Sequence, residues 1–212
     1  RHFAWLFQGM SALLEYPIKA IQQLLQALPW SVVMFLFCLV AYAASGWRLA
    51  LFTFGASTYM LVIGAWDAGM NTLSLVAISV PSAILVGFAI GVWGFRSRRA
   101  ERVIMPTLDI LQTVPTFAYL LPILMLFGFG TVVGLISSVL YSFPPMVRNT
   151  IVGLRGVAPE VIESGLMAGA TGQQLFWQVR VPSARRQLML GVNQATMASL
   201  SMGIIASVIG GA

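Results

Sequence analysis

Residues 70–95 read MNTLSLVAISVPSAILVGFAIGVWGF and contain no charged side chain. The hydrocarbon core of a bilayer is about 30 Å thick, and roughly 20 residues of α-helix are needed to cross it. A helix that is apolar on all sides is buried in a large protein core or surrounded by lipid. The stretch therefore predicts a membrane-crossing helix.

Apolar segments of similar character recur on both sides of residues 70–95. Hydrophobic residues make up 58% of the 212-residue chain and charged residues only 8%, whereas about a quarter of an average soluble domain is charged. We therefore predict an all-α fold, a polytopic helical bundle in the membrane. Its six predicted spans are residues 29–45, 48–65, 70–95, 104–127, 131–147 and 187–209.

The chain divides into three predicted regions. Residues 1–28 place apolar side chains at steps of three and four among Gln, Glu and Lys, which is typical of an amphipathic helix. Such a helix could lie at the membrane interface or pack as a cap on the bundle, and both alternatives stay open. Residues 29–66 are predicted to form a two-span hairpin, and residues 67–212 the core domain.

The formal net charge of +6 could indicate a nucleic-acid partner. A nucleic-acid interface, however, gathers its basic residues on one folded surface, and here they punctuate the apolar segments, so we predict no such partner. The single cysteine, Cys38, excludes an intrachain disulfide and a zinc cluster. The chain carries no catalytic constellation and no G-x-x-x-x-G-K-[ST] phosphate loop. We therefore predict no enzyme activity, metal site or cofactor in this chain.

The arginines predict the orientation of the bundle, because loops rich in Lys and Arg stay on the cytoplasmic side. Alternate loops hold ten of the twelve Lys and Arg residues, and only Arg1 and Lys19 lie in the others. This bias places the amino terminus outside, the segment RSRRAER (residues 96–102) inside and the carboxyl terminus outside. It also places inside a long loop of about residues 150–186, called the long loop below.

The long loop is too long for a simple connector and is patterned as helix, turn, helix. Pro159 and the acidic Glu160 and Glu163 suit a helix start. Residues 169–172 break that helix, and a second helix is predicted to end near Val181, because the residue before Pro182 disfavours helical geometry. The apolar side chains of this unit could form a docking surface or fold back under the bundle. They are Leu166, Met167, Leu175, Phe176 and Trp177.

The long loop resembles the EAA loop of ABC importer permeases, in which a Glu and two small residues precede a Gly and a distal apolar-x-apolar-Pro. Ser164 and Gly165 replace the usual two alanines, and both are small. In that family the loop sits in a groove of the ATPase subunit. The expected ATPase-coupling residues are therefore Glu163, Ser164, Gly165, Gly169, Val179 and Pro182, and Val181 also matches the pattern.

Three further segments resemble the permeases of glycine betaine, proline betaine and choline importers. They are LDILQTVPTFAYLLPILMLFGFGTVVG (108–134), FPPMVRNTIVGL (143–154) and LGVNQATMASLSMGIIASVIGG (190–211). The resemblance implies a type I importer in the bacterial inner membrane, with a further span after the position of Gly211. It implies two permease copies, two ATPase subunits that use ATP and magnesium, and an extracytoplasmic binding protein. The implied cargo is a small quaternary or tertiary amine, including trimethylamine N-oxide.

Polar residues inside predicted spans are candidates for the translocation path. Asp109 could line the passage, or could pair with an arginine of RSRRAER and anchor the inner end of its helix. The residues at 193, 197 and 201 lie on one face of a helix and could line the path or form hydrogen bonds between helices. The aromatic side chains could hold an ammonium group or only pack against lipid. The candidates are Asp109, Gln112, Thr116, Phe117, Tyr119, Asn193, Met197 and Ser201.

Other classes of function remain open. An ABC permease for a different small solute would share the long loop. An ion-coupled secondary carrier would be expected to show paired repeats and several membrane carboxylates, and Asp109 is the one clear case. A structural membrane subunit that transports nothing is the third alternative.

Overall fold

The computed structural model describes residues 4–128 and 130–210, without the side chains of residues 4–14, 117 and 207–210. Within these residues every regular element is helical, which confirms the all-α prediction. The α-helices are α1 (Ala4–Ala27), α2 (Trp30–Ser45), α3 (Trp47–Val62), α4 (Trp66–Arg96), α5 (Arg98–Thr113), α6 (Thr116–Phe127), α7 (Thr131–Arg155), α8 (Pro159–Met167), α9 (Gly172–Gln174), α10 (Val181–Ser183) and α11 (Arg185–Gly210).

Helix α7 forms the centre of the bundle, with α4 and α11 packed against it. Glycines let the backbones approach closely, as is common between membrane helices. A Cβ atom added at Gly91 of α4 would lie 2.5 Å from Cβ of Thr150, and one at Gly191 of α11 would lie 2.9 Å from Cβ of Asn149. Neither position has room for a side chain.

Hydrogen bonds between polar side chains, three of them buried, join the same three helices. The hydroxyl groups of Ser79 in α4 and Ser199 in α11 lie 2.6 Å apart. Asn149 of α7 donates to Oε1 of Gln194 at 2.8 Å and accepts from Nε2 of Gln187 at 2.7 Å. These bonds give partners to polar atoms that would be costly to leave unpaired away from water.

Helix α1 packs on α4, as in the cap alternative. Ile18 is 1% exposed. The side-chain amides of Gln22 and Gln26 both donate to Oδ1 of Asn71, at 2.8 and 3.2 Å. The axis of residues 15–27 makes an angle of 103° with that of α2, so the two are not one straight span.

Helices α2 and α3 pack against each other and meet at Gly46. Each has 16 residues, which is below the roughly 17 residues that span a bilayer core without tilt or thinning. The domain limits at residues 28 and 66 stay a prediction.

The expected span 104–127 is wrong as a single helix. It consists of parts of α5 and α6, which meet at an angle of 93°. The break lies at Val114, whose extended backbone (ψ 129°) is what the ring of Pro115 imposes on the preceding residue.

The count of six continuous spans is corrected accordingly. Among the described residues, α4 and α11 are long and apolar enough to cross a membrane, and the number rises to four if each of two bent helix pairs counts as one span. The 25-residue α7 is long enough, but serines, Asn149, Thr150 and two arginines lower its apolar content. A helix that packs mainly on other helices does not need a fully apolar surface.

Gly91→Ala is expected to destabilise the bundle by about 1–3 kcal/mol, because the added methyl group overlaps Thr150 and forces α4 and α7 apart. The matched control is Gly55→Ala in α3, where an added Cβ meets nothing within 4 Å. That change should leave stability equal or slightly higher. Thermal unfolding in detergent measures both variants, and equal melting temperatures would contradict the close approach of α4 and α7.

Candidate functional site

The long loop is folded as helix, turn, helix, as the sequence predicts. Helix α8 begins with Pro159 in its first turn. Gly169 has φ +79°, a left-handed conformation that closes many helices and is easiest for glycine. Thr171 and Gln174 then form a reciprocal capping box that starts the second helical stretch.

The second helical stretch does not end at Val181. Residues 172–183, called the second loop helix below, run through α9, a π-helical segment (Leu175–Arg180) and α10. The N–H of Val181 bonds to the carbonyl of Phe176, five residues back. This wide turn lets the chain pass Pro182, which has no N–H to donate and whose ring would crowd a regular α-turn.

Gly165 is the point where α8 meets the second loop helix. A Cβ atom at this position would lie 2.8 Å from Cδ1 of Leu175 and 3.2 Å from Cγ2 of Val179. The structure therefore brings together two of the expected coupling positions, Gly165 and Val179. A larger residue at 165 would require the side chains of Leu175 and Val179 to shift.

The apolar side chains of the long loop divide into two sets, so both readings of the loop are partly right. Leu166 and Met167 are 55% and 90% exposed, and Trp177 is 55% exposed. Phe176, expected on the same surface, is only 7% exposed and packs under the bundle. Phe176 and its neighbour Trp177 lie in different environments, because successive side chains of a helix point in different directions. Glu163 and Ser164 are exposed on α8.

Phe176 joins the long loop to the adjacent ends of α4 and α7. Its ring lies 6.2 Å from that of Phe95, at the end of α4. The guanidinium of Arg180 lies 5.1 Å from the Phe95 ring and donates to the carbonyl of Leu154 in α7 at 3.2 Å. These contacts connect the second loop helix to both α4 and α7, and the sequence analysis did not identify them.

Asp109 forms an ion pair with Arg148 of α7 rather than with RSRRAER. The predicted partner of Asp109 is therefore wrong, although Asp109 does pair with an arginine. The RSRRAER segment instead provides Glu101, which pairs with Arg155. The two pairs are about two helical turns apart on both α5 and α7, because these helices run side by side in opposite directions.

Two of the other path candidates share a small cavity. Gln112 and Tyr119 line a space of about 160 Å³ together with Tyr141. The two tyrosine rings meet edge to face at 5.9 Å, and the Tyr119 hydroxyl donates to the carbonyl of Leu111. Thr116 is half-buried, and the side chain of Phe117 lies outside the described residues.

The candidates on α11 are not part of that cavity. Asn193, Met197 and Ser201 are all exposed on the outside of the protomer. The Ser201 hydroxyl donates to the Met197 carbonyl of its own helix at 3.0 Å. Ser201 therefore does not donate the interhelical hydrogen bond that was one alternative for these residues.

A larger cavity of about 550 Å³ lies at the other end of α4 and α7, and the sequence analysis missed it. Asp67 and Asn71 line it. The sequence signal for this cavity was the presence of two polar residues, Asp67 and Asn71, at the start of the apolar stretch 70–95. Among the described residues, no group of three His, Cys, Asp or Glu could hold a metal ion.

Comparison with known proteins points to one family. Residues 80–212 match the family described as "Binding-protein-dependent transport system inner membrane component". The chain is 39% identical to the glycine betaine/proline betaine transport system permease protein ProW of Escherichia coli, over 98% of this chain and 59% of that protein. It is 34% identical to the glycine betaine transport system permease protein OpuAB of Bacillus subtilis, over 98% of this chain and 74% of that protein.

A third relative is much longer than this chain. The trimethylamine N-oxide transport system permease protein TmoV of Ruegeria pomeroyi is 37% identical over 86% of this chain, but the match covers 28% of TmoV. The chain thus spans a little over half of ProW and about a quarter of TmoV.

Phe176→Ala is expected to release the long loop from the bundle, because truncating a buried phenylalanine costs about 3–5 kcal/mol. Limited proteolysis between residues 156 and 184 should become clearly faster. Met167→Ala removes a side chain of the same loop that is 90% exposed, and should leave the cleavage rate unchanged. Equal cleavage rates in the two variants would contradict the role of Phe176 as the attachment point.

Proposed function

Because this chain belongs to the family of binding-protein-dependent transport system inner membrane components, we propose that it is the permease subunit of an ABC importer for a small quaternary or tertiary amine. The main support for this proposal is the structure of the long loop. Helix α8 is exposed and would present Glu163 and Met167 to a partner, while Phe176 holds the second loop helix to the bundle. Nothing in this role requires covalent chemistry in the chain.

Helix α8 is the proposed contact with a cytoplasmic ATPase subunit. Its exposed face combines a carboxylate with apolar side chains, a mixture that suits a docking groove. Closure of the ATPase would push α8, and the Gly165 contact would pass that displacement to the second loop helix. Phe176 and Arg180 would then move the inner ends of α4 and α7. The proposed coupling residues are Glu163, Ser164, Gly165, Gly169, Val179 and Pro182.

ATP and magnesium would be bound by the two copies of the ATPase subunit. This sequence has no phosphate-binding loop of its own. In this proposal the chain contributes only a conformational change, which exposes the passage alternately to the two sides of the membrane.

A second copy of the permease is proposed to complete the passage. Asp109, Gln112, Asn193, Met197 and Ser201 are exposed on the single protomer. Polar side chains at membrane depth are expensive when they face lipid. They would be better accommodated if a second protomer covered them and the passage ran between the two copies.

The proposed location is the bacterial inner membrane, with α8 in the cytoplasm and the amino end of the chain outside. The distribution of arginines supports this orientation, since the positive loops are those on the α8 side. A binding protein would deliver the solute to the opposite side.

The proposed cargo rests on the relatives and on one cavity. ProW and TmoV are named for glycine betaine, proline betaine and trimethylamine N-oxide transport. The rings of Tyr119 and Tyr141 border the cavity of about 160 Å³, and aromatic faces attract quaternary ammonium groups. The alternatives are a permease for another small solute or, with less support, a secondary carrier. The latter would be expected to have several carboxylates within its spans, and Asp109, the one clear candidate in the predicted spans, is paired with Arg148.

Glu163→Ala is expected to lower ATP-driven uptake about tenfold, which corresponds to a loss of about 1.4 kcal/mol in docking. Gly169→Asp should also lower uptake, because Gly169 has φ +79°, a backbone conformation that residues with a side chain rarely adopt. Uptake is measured in vesicles that contain the chain, its ATPase subunits and its binding protein. The matched control is Glu160→Ala, an exposed glutamate of the same helix outside the pattern, which should keep wild-type uptake. Uptake that needs no ATP, or that neither change affects, would refute the coupling assignment.

Tyr119→Leu is expected to weaken uptake of glycine betaine and choline about threefold or more, because the aromatic face is lost. Tyr119→Phe keeps the ring and should retain most of the uptake. Competition among glycine betaine, proline betaine, choline and trimethylamine N-oxide in the same vesicles ranks the cargo. Equal loss in both variants would assign the effect to the Tyr119 hydroxyl and overturn the role of the ring.

A further inference from the structure

The cavity of about 550 Å³ lies among α1, α4, α7 and α11, at the end of the bundle opposite the long loop. Ligand sites commonly have volumes of about 300–1,000 Å³, so this space holds a small solute with room to spare. Glycine and alanine form much of its wall, and six polar residues line it. These are Gln22, Asp67, Asn71, Thr72, Ser74 and Thr131.

Asp67 is the only charged residue among those lining the cavity. Its carboxylate has no ion pair among the described residues, in contrast to Glu101 and Asp109. Asp67 is exposed in the first turn of α4, so its carboxylate, only partly offset by the positive end of that helix, places a negative charge at the edge of the cavity. A ligand with a positive charge would relieve it.

Two of the three hydroxyl groups of the wall, those of Thr72 and Ser74, offer hydrogen-bond acceptors rather than donors. Thr72 donates to the carbonyl of Ala68 at 3.0 Å, and Ser74 donates to the carbonyl of Asn71 at 2.7 Å. Since each hydroxyl has one hydrogen, these bonds leave only oxygen lone pairs to offer to a ligand. Acceptor oxygens beside a carboxylate favour a cationic group and disfavour an anionic one.

We propose that this cavity is a binding site for a small solute with a positively charged ammonium head, and that Asp67 is its counter-charge. The inference rests on the proposed import function, for which it supplies an outer site distinct from the tyrosine-lined cavity. Helices α4 and α7 both begin beside this cavity, and their last turns contain Phe95 and Leu154, which contact the long loop. A solute bound here therefore touches the same two helices that the ATPase is proposed to move.

The test uses the complete transporter in proteoliposomes, with the single native cysteine removed by Cys38→Ser. Thr131→Cys then places one thiol in the cavity wall, and its reaction rate with a membrane-impermeant maleimide is measured from outside. Choline is the probe, and its neutral isostere 3,3-dimethylbutan-1-ol is the matched ligand. Val62→Cys, at a position 80% exposed and outside the lining, is the matched thiol.

Choline should slow labelling of Thr131→Cys and leave Val62→Cys unaffected, and the isostere should protect neither. Asp67→Asn should raise the choline concentration needed for protection about fivefold or more, because one charge–charge attraction is lost. Asp67→Glu keeps the charge and should retain protection, which separates loss of charge from a folding defect. Equal protection by choline and its isostere, or unchanged protection in Asp67→Asn, would overturn the proposal.

Labelling needs no ATP, so the two proposals fail separately. ATP-driven uptake without charge-dependent protection would refute this site and leave the importer assignment standing. Protection that depends on Asp67, without ATP-driven uptake, would support the site and refute the importer assignment.

Discussion

The close approach of α4 and α11 to α7 is the constraint on which the remaining structure depends. Small residues such as Gly91 and Gly191 bring the helix backbones together, and Asn149 adds hydrogen bonds between α7 and α11. Within a membrane, association of helices gains little from hydrophobicity and depends on such packing and bonding. Because the three helices are held this tightly, their ends form two defined sites, the cavity of about 550 Å³ at one end and the junction with the long loop at the other.

The long loop has one side packed on the bundle and one side exposed. Phe176 is buried against the carboxyl-terminal ends of α4 and α7, whereas Met167 is almost fully exposed on α8. Gly165 lets the two loop helices touch directly, so a displacement of α8 reaches Phe176 through packed atoms rather than through a flexible linker. Packed interiors transmit displacement because they are dense and have few voids. This physical connection supports an ATPase-driven permease better than a self-contained carrier.

Several features of the fold and the site were predictable because they depend on local chemistry. The start of α8 at Pro159 and the reversal at Gly169 follow from backbone preferences of single residues. The path of the chain through Pro182 was not predictable, since a π-helical turn removes the conflict that the local rule foresees. The partner of Asp109 was also missed, because the choice between Arg148 and the arginines of residues 96–102 depends on which helix lies alongside α5.

The sequence by itself determined that this chain is an all-helical membrane protein with a patterned loop on its arginine-rich side. Those conclusions rest on composition, charge distribution and residue spacing. These properties act through local backbone preferences and through the preference of side chains for water or lipid, so they do not depend on how the helices pack. Only the tertiary structure decided that residues 104–127 bend at Val114, that Phe176 is buried while Met167 is exposed, and that Asp67 faces a cavity. Each of these depends on contacts between residues far apart in the chain, and such contacts are set by how whole helices pack.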